Sequence, residues 1–348
     1  MASKIERNRK FLADLFAGPF RGHAVIMEHE PIPSGMPADV ASSHRPVADW
    51  LDFHLRNYEA QLRVLEAIDH DGVPYVKVHT GTQLFAEAFG CPVHVYKDGW
   101  LAARPLVETP AEADRLPQPT LRARPLQRVF ELAAMIRERV GPSVPISVPD
   151  IQSPFDIAAL VWRKEAMFMA MIDAPEAVKG LVAKCQALLE DFLRTFLREI
   201  GEVNLCHCPT AWAPPELGCW LSEDEAGSMS VAMFEEFCLP SLVQLSEVFG
   251  GMFIHCCAAA DHQYANFLKI PNLRGLNRVF QAPGPRPAIE AFAGRTVLIQ
   301  AWTTEEQVYE MLDMALPESR FLFNMPALPL DQAKAQYERL RERCLRRD

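Results

Sequence analysis

The chain has 348 residues, 49% of them hydrophobic and 23% charged, with 6 Trp and 20 Phe. That is a globular composition, so disordered, collagen-like and coiled-coil readings fall away. The 35 basic and 45 acidic residues give a formal net charge of -10, and the one dense basic run, 339–347, reads as a solvated helix end, so no nucleic-acid partner is expected.

The N-terminal segment 1–20 mixes Lys4, Glu6, Arg7, Arg9, Lys10 and Asp14 with apolar residues, which reads as a helical extension and not as a secretory leader. No window approaches the ~18 uninterrupted apolar residues of a membrane span. The 9 cysteines are an odd number, so the expected compartment is the reducing cytoplasm, with the thiols packed, metal-bound or catalytic.

In chain order, strands are expected at 23–27, 73–78, 144–148, 217–221, 251–254, 273–276, 296–299 and 320–323. Each is short, rich in β-branched or aromatic residues, and most are introduced by Gly, Pro or a charge, as strands buried on both faces read. Between them, helical periodicity covers 47–68, 126–140, 156–171, 175–200, 231–249, 305–315 and 331–343. Pro175 suits a first helical turn and Ser230 an N-cap. The stretch 100–125, rich in Pro, Arg and acidic residues, reads as a surface excursion. Strands alternating with helices predict an α/β fold, a single (β/α)8 TIM barrel occupying 1–348 as one domain. A doubly wound open sheet competes, but His29-Glu30-Pro31-Ile32-Pro33 after the first strand is not a Gly-rich phosphate loop.

Chemistry in a parallel barrel gathers at the carboxyl ends of the strands. Those ends supply Glu28 and His29, then His79, then Asp150 and Gln152, then Glu223 and Asp224, then His255, Cys256 and Cys257. Asn277, Gln300 with Trp302, and Asn324 follow. Residues two apart in a strand share a face, so His255 and Cys257 point one way and Cys256 the other, against the helices. An imidazole and a thiolate on one face are two of the ligands that Zn2+ takes; a buried histidine beside a packed cysteine is the equally weighted alternative. Cys206 and Cys208 flank His207 and read as loop packing, or as a second redox or metal feature. Asp261 and His262 lie within reach of the barrel mouth. Glu223-Asp224-Glu225 is either a solvated acidic loop or a source of a general acid or cation ligand.

The run from Val148-Pro149-Asp150-Ile151-Gln152-Ser153-Pro154-Phe155-Asp156 onward resembles the uroporphyrinogen decarboxylase superfamily, as do Met171-Ile172-Asp173-Ala174-Pro175 and Ser230-Val231-Ala232-Met233-Phe234-Glu235-Glu236-Phe237. The likeness extends over about residues 5–343 and implies a (β/α)8 barrel of that type. The true decarboxylases carry an arginine-rich first strand end, where this chain reads Met27-Glu28-His29-Glu30-Pro31, and an aspartate after the second strand, where it reads Lys77-Val78-His79-Thr80-Gly81. Carboxylates do not pair with a polyacidic porphyrinogen, so that activity is not expected.

The corrinoid-dependent methyltransferase branch resembles this chain more. His255-x-Cys257 falls at its zinc-binding His-x-Cys, but the branch's distant Cys is replaced by Asn324 in Phe323-Asn324-Met325-Pro326. Glu28, Glu223, Cys208 or His79 are candidates for the vacant ligand position. The resemblance implies zinc-thiolate methyl transfer between a corrinoid and a thiol-type acceptor, with His255 and Cys257 as metal ligands. On this reading Glu223, Asp224, His79 and Asp150 are the catalytic groups. Glu28, His29, Gln152, Asn277, Gln300, Trp302 and Asn324 face the substrate, and Trp212, Trp220 and Trp302 offer an apolar wall. The partners implied are a small-molecule substrate and a corrinoid protein, with a homo-oligomer left open. Two alternatives stand beside it. One is decarboxylation of a small acid, with Asp150, His79 and His255 handling protons; the other is a non-catalytic corrinoid- or tetrapyrrole-binding protein.

Overall fold

In the computed structural model, which describes residues 1–32, 39–97 and 99–345, the strands are β1 (Ala24–Met27), β2 (Val93–Val95), β3 (Leu101–Ala103), β4 (Ile146–Ser147), β5 (Val203–Asn204), β6 (Cys219–Ser222), β7 (Met252–Cys256), β8 (Leu273–Arg278), β9 (Val297–Ala301) and β10 (Phe321–Met325). The parallel strands β1-β10-β9-β8-β7-β6 form one continuous sheet in that order. Single contacts carry the wall from β6 round to β1. Ser222 N–H donates to Ile151 C=O at 2.8 Å and Ser153 N–H to Ser222 C=O at 2.7 Å. β4 pairs in parallel with β5 and bridges Val76, and Asp71 is hydrogen-bonded to the backbone of Val25 in β1. This is the mixed α/β, parallel-strand architecture expected of a (β/α)8 barrel.

The helices are α1 (Ala2–Ala17), α2 (Leu51–Ala67), α3 (Leu84–Ala88), α4 (Pro110–Arg115), α5 (Arg124–Val140), α6 (Pro154–Val161), α7 (Lys164–Asp173), α8 (Pro175–Ile200), α9 (Val231–Phe237), α10 (Leu239–Phe249), α11 (Tyr264–Phe267), α12 (Arg286–Phe292), α13 (Glu305–Asp313) and α14 (Leu330–Arg343). Pro175 opens the 26-residue α8, and Ser230 Oγ accepts from Met233 N–H at 3.2 Å as the cap of α9. Two expected helices are broken. The run 231–249 divides at Cys238, with Pro240 in the first turn of α10. The run 156–171 divides at Trp162, which is extended and bridges Val107. The stretch 100–125 is not featureless: it holds β3, paired with β2, and α4, closed by a Thr109–Glu112 capping box.

Two apolar layers follow from strand alternation. Inside the ring, Ile26, Trp220, Phe253, Ile299 and Leu322 pack with Phe11, Leu12, Leu15 and Phe16 of α1. Trp220 stacks on Phe253 at 4.9 Å, and Phe16 meets the same ring edge-on at 5.0 Å. Gly275 makes room for that ring, because a Cβ there would lie 2.6 Å from Phe253 Cδ1. Outside the ring, Val25, Ile254, Cys256, Leu276, Leu298 and Phe323 face the helices. The filled interior and α1 close the amino end of the strands, so only the carboxyl end is left for polar chemistry. Among the described residues no helix is long and apolar enough to cross a membrane.

Candidate active site

β7 alternates Phe253 inward, Ile254 outward and His255 inward, and Cys257 follows just beyond its end. β6 ends beside it and delivers Glu223 and Asp224. The donor atoms of Asp224, His255 and Cys257 all lie within 4.8 Å of one another. Asp224 Oδ1 accepts from the Cys257 backbone N–H at 2.7 Å and lies 3.2 Å from its Sγ. Asp156, near the start of α6, accepts from the backbone N–H groups of Asp224 and Glu225 at 2.7 and 3.1 Å, which pins the turn that carries Asp224.

The tautomer of His255 is set from behind. Asn277 Nδ2 donates to Ile299 C=O at 2.7 Å, which turns its Oδ1 toward His255 Nδ1 at 2.5 Å. An amide oxygen only accepts, so Nδ1 is the donor, and in the neutral ring Nε2 is then the nitrogen with the lone pair, the form a metal requires. The surroundings are acidic. Burial, then the charge of Asp224, pushes the Asp156 carboxyl up to about 8. Burial and neighbouring Asp156 hold Glu223 well above the usual carboxylate range. Burial and Asp224 push the Cys257 thiol up to about 11. Burial is the first cause of each shift and the anionic neighbours add to it, and a divalent cation held here would oppose both. One nitrogen, one sulfur and one oxygen make a donor set that suits zinc and leaves a fourth position open.

Beside this cluster lies a cavity of about 270 Å³ whose lining includes Glu28, His29, Lys77, His79, Cys208 and Trp302. Cys208 joins the two, with Sγ 3.7 Å from His255 Nδ1. Burial pushes its thiol up to about 12. Burial, then the charge of Lys77, holds His79 well below the usual imidazole range, so it is neutral at pH 7. The His79 backbone N–H donates to His54 Nε2 at 3.2 Å. Trp302 stands at the rim, 56% exposed, with a left-handed φ of 54°.

Residues 43–276 match the family model described as uroporphyrinogen decarboxylase (URO-D). The chain belongs to the uroporphyrinogen decarboxylase family. Among solved structures, a methyltransferase from Methanosarcina mazei is similar at 15% identity and a TM-score of 0.67, over 95% of this chain and 97% of that one. The metallated homocysteine methyltransferase MmuM from Escherichia coli covers 91% of this chain and 96% of its own, but at 10% identity and a TM-score of only 0.34. No curated protein matches the chain.

In this URO-D family member the remaining candidates occupy varied places. Asp150 accepts from Gln152 Nε2 at 2.7 Å and its backbone N–H donates to Thr80 Oγ1 at 3.0 Å, so Gln152 and Asp150 hold each other. Burial raises the Asp150 carboxyl, and His207 Nδ1 lies 3.5 Å from it. Asn324 is buried, and its amide donates to Thr210 C=O at 3.0 Å, tying β10 to the loop that bears Cys208. Gln300 lies on the face of β9 opposite Ile299 and outside the cavity lining. Trp212 and Trp220 pack in the interior layer, below the cavity. Asp261 accepts from Tyr264 and Arg278, and His262 bonds Met229 C=O at 2.8 Å. Cys206 donates to Pro209 C=O at 3.0 Å.

Lys77, Asp156 and the approach of Cys208 to His255 escape a strand-end reading. Lys77 had a signal: Val73, Tyr75, Lys77 and His79 all line the cavity, while Val76 and Val78 lie in the outer layer. A lysine between two such valines points inward.

Proposed function

We propose that the protein transfers a methyl group between a corrinoid and a small thiol-type acceptor at a zinc centre held by Asp224, His255 and Cys257. The convergence of those three donors at the carboxyl end of the strands carries this reading. When bound, zinc supplies the positive charge that keeps an acceptor thiol ionised near neutral pH.

The chain's own groups do the rest. Asn277 holds the His255 ring by Nδ1 and leaves Nε2 for the metal, and Asp156 holds the Asp224 turn. The acceptor occupies the cavity beside Cys208, and the proton that its thiol loses leaves to solvent at the open rim. The acceptor sulfur supplies the electron pair of the new S–C bond, and the donor keeps the pair of the bond that breaks. The corrinoid, on its carrier protein, approaches over the open rim at Trp302. The reducing cytoplasm suits the nine free thiols.

A porphyrinogen substrate suits this mouth poorly. Among the described residues the cavity lining offers one lysine and no arginine, against the several guanidinium groups that a polycarboxylate needs. Incubation of zinc-loaded protein with methylcobalamin and a panel of small thiols, followed by the corrinoid absorbance, tests the proposal. Demethylation that falls at least about a hundredfold in His255→Ala is expected. No demethylation with any thiol, or an unchanged rate in that variant, contradicts it.

A further inference from the structure

The cavity lining carries one carboxylate side chain, Glu28, and one ammonium side chain, Lys77. Among the described residues the Lys77 ammonium makes no hydrogen bond or ion pair, although the residue is partly buried. A partly desolvated cation with no direct ion-pair partner is costly, and an anion brought by a ligand lowers that cost. Its neighbours give it no direct partner: the charge of Lys77 lowers the nearby Asp150 carboxyl against the effect of burial, but among the described residues the two form no ion pair, and Cys206, His207 and Cys208 are buried groups that stay neutral at pH 7.

We propose that Lys77 anchors the substrate, and that the molecule it receives is small and bears a single carboxylate. This deepens the assignment of the mouth as the substrate site and rests on it. The charge balance argues for a monoanion: a phosphate dianion would meet one ammonium and also the Glu28 carboxylate, whereas one carboxylate is matched by Lys77 and kept away from Glu28. The lining argues the same way: among the described residues it offers one ammonium and no guanidinium, which matches a single carboxylate. The apolar remainder of the wall, Ile26, Val73, Tyr75, Ala211 and Trp302, suits a short hydrocarbon body between the carboxylate and the reacting end. Lys77 touches no reacting atom, so it is a positioning and specificity-determining residue.

The test uses ligand-observed NMR titrations of butyrate and 1-butanol against the full chain, both as prepared and after removal of metal with a chelator. Wild type is expected to bind butyrate about ten- to a hundredfold tighter than butanol, the range of a charge-assisted hydrogen bond. Lys77→Met should abolish that preference and Lys77→Arg should retain it, with circular dichroism confirming that each variant is folded. Equal affinities in wild type, or a preference that survives Lys77→Met, overturns the proposal. Because the preference needs no metal, its presence in chelated protein separates this inference from the zinc assignment. If Lys77→Met loses the preference while zinc still binds, the anchor stands. If zinc never binds and the preference remains, only the methyl-transfer reading fails.

Discussion

Nε2 of His255 is free only because Asn277 has spent its amide N–H on Ile299 and must offer oxygen to Nδ1. Single residues around the mouth are constrained in this way, and Trp302 is the most conspicuous. A bulky residue with φ of 54° and 56% exposure gains little from burial and carries a left-handed backbone, which costs about 1–2 kcal/mol. Strain kept at an exposed rim points to contact with a ligand. Trp302→Gly is therefore expected to leave the melting temperature unchanged or slightly raised, since relief of strain offsets the glycine's entropy cost, while KM for the acceptor rises several-fold. A large drop in melting temperature with unchanged KM would place the indole in packing instead.

At the scale of elements, the parallel alternation of strand and helix was legible because strands buried on both faces leave uninterrupted apolar runs. β7, β9 and β10 match their expected positions closely. The wall between β1 and β6 was not. β5 spans only Val203–Asn204, too few residues for a period to show, and the run 73–78 makes a single bridge at Val76, with the backbone of Tyr75 bonded to the Gln61 side chain and the Val78 N–H to Ser147 Oγ. The same limit governs the site. His255 and Cys257 are two apart on one strand, so their common side follows from sequence. The meeting of Asp224 with Cys257, the hold of Asp156 on the Asp224 turn, and the approach of Cys208 to His255 join residues tens of positions apart, through loops whose course no local pattern encodes.

For the whole molecule, burial sets how stability answers to pH. His23 is lowered from 6.5 to about 4 by burial; its Nδ1 accepts from Phe321 N–H at 3.2 Å, and its ring stacks on Phe321 at 4.9 Å. Below pH 6.5 the unfolded chain takes up a proton that the folded chain refuses until about pH 4, so this imidazole's contribution is lost as pH falls through that window. Buried carboxyls such as Asp156 act in the opposite sense, because they are protonated in the folded state and favour folding as pH falls. The informative quantity is therefore the difference between wild type and His23→Asn in urea unfolding. It should shift by about 2 kcal/mol between pH 7 and pH 5 in favour of the variant; a constant difference would mean that water reaches the ring.

The most direct trial of the account is the metal content of the purified chain after incubation with zinc and removal of the excess. Wild type should hold about one zinc ion per chain, and Cys257→Ala, His255→Ala and Asp224→Ala should each retain far less while staying folded. A wild-type protein that takes up no zinc, or variants that keep it undiminished, would contradict the claim that these three side chains form a cation site.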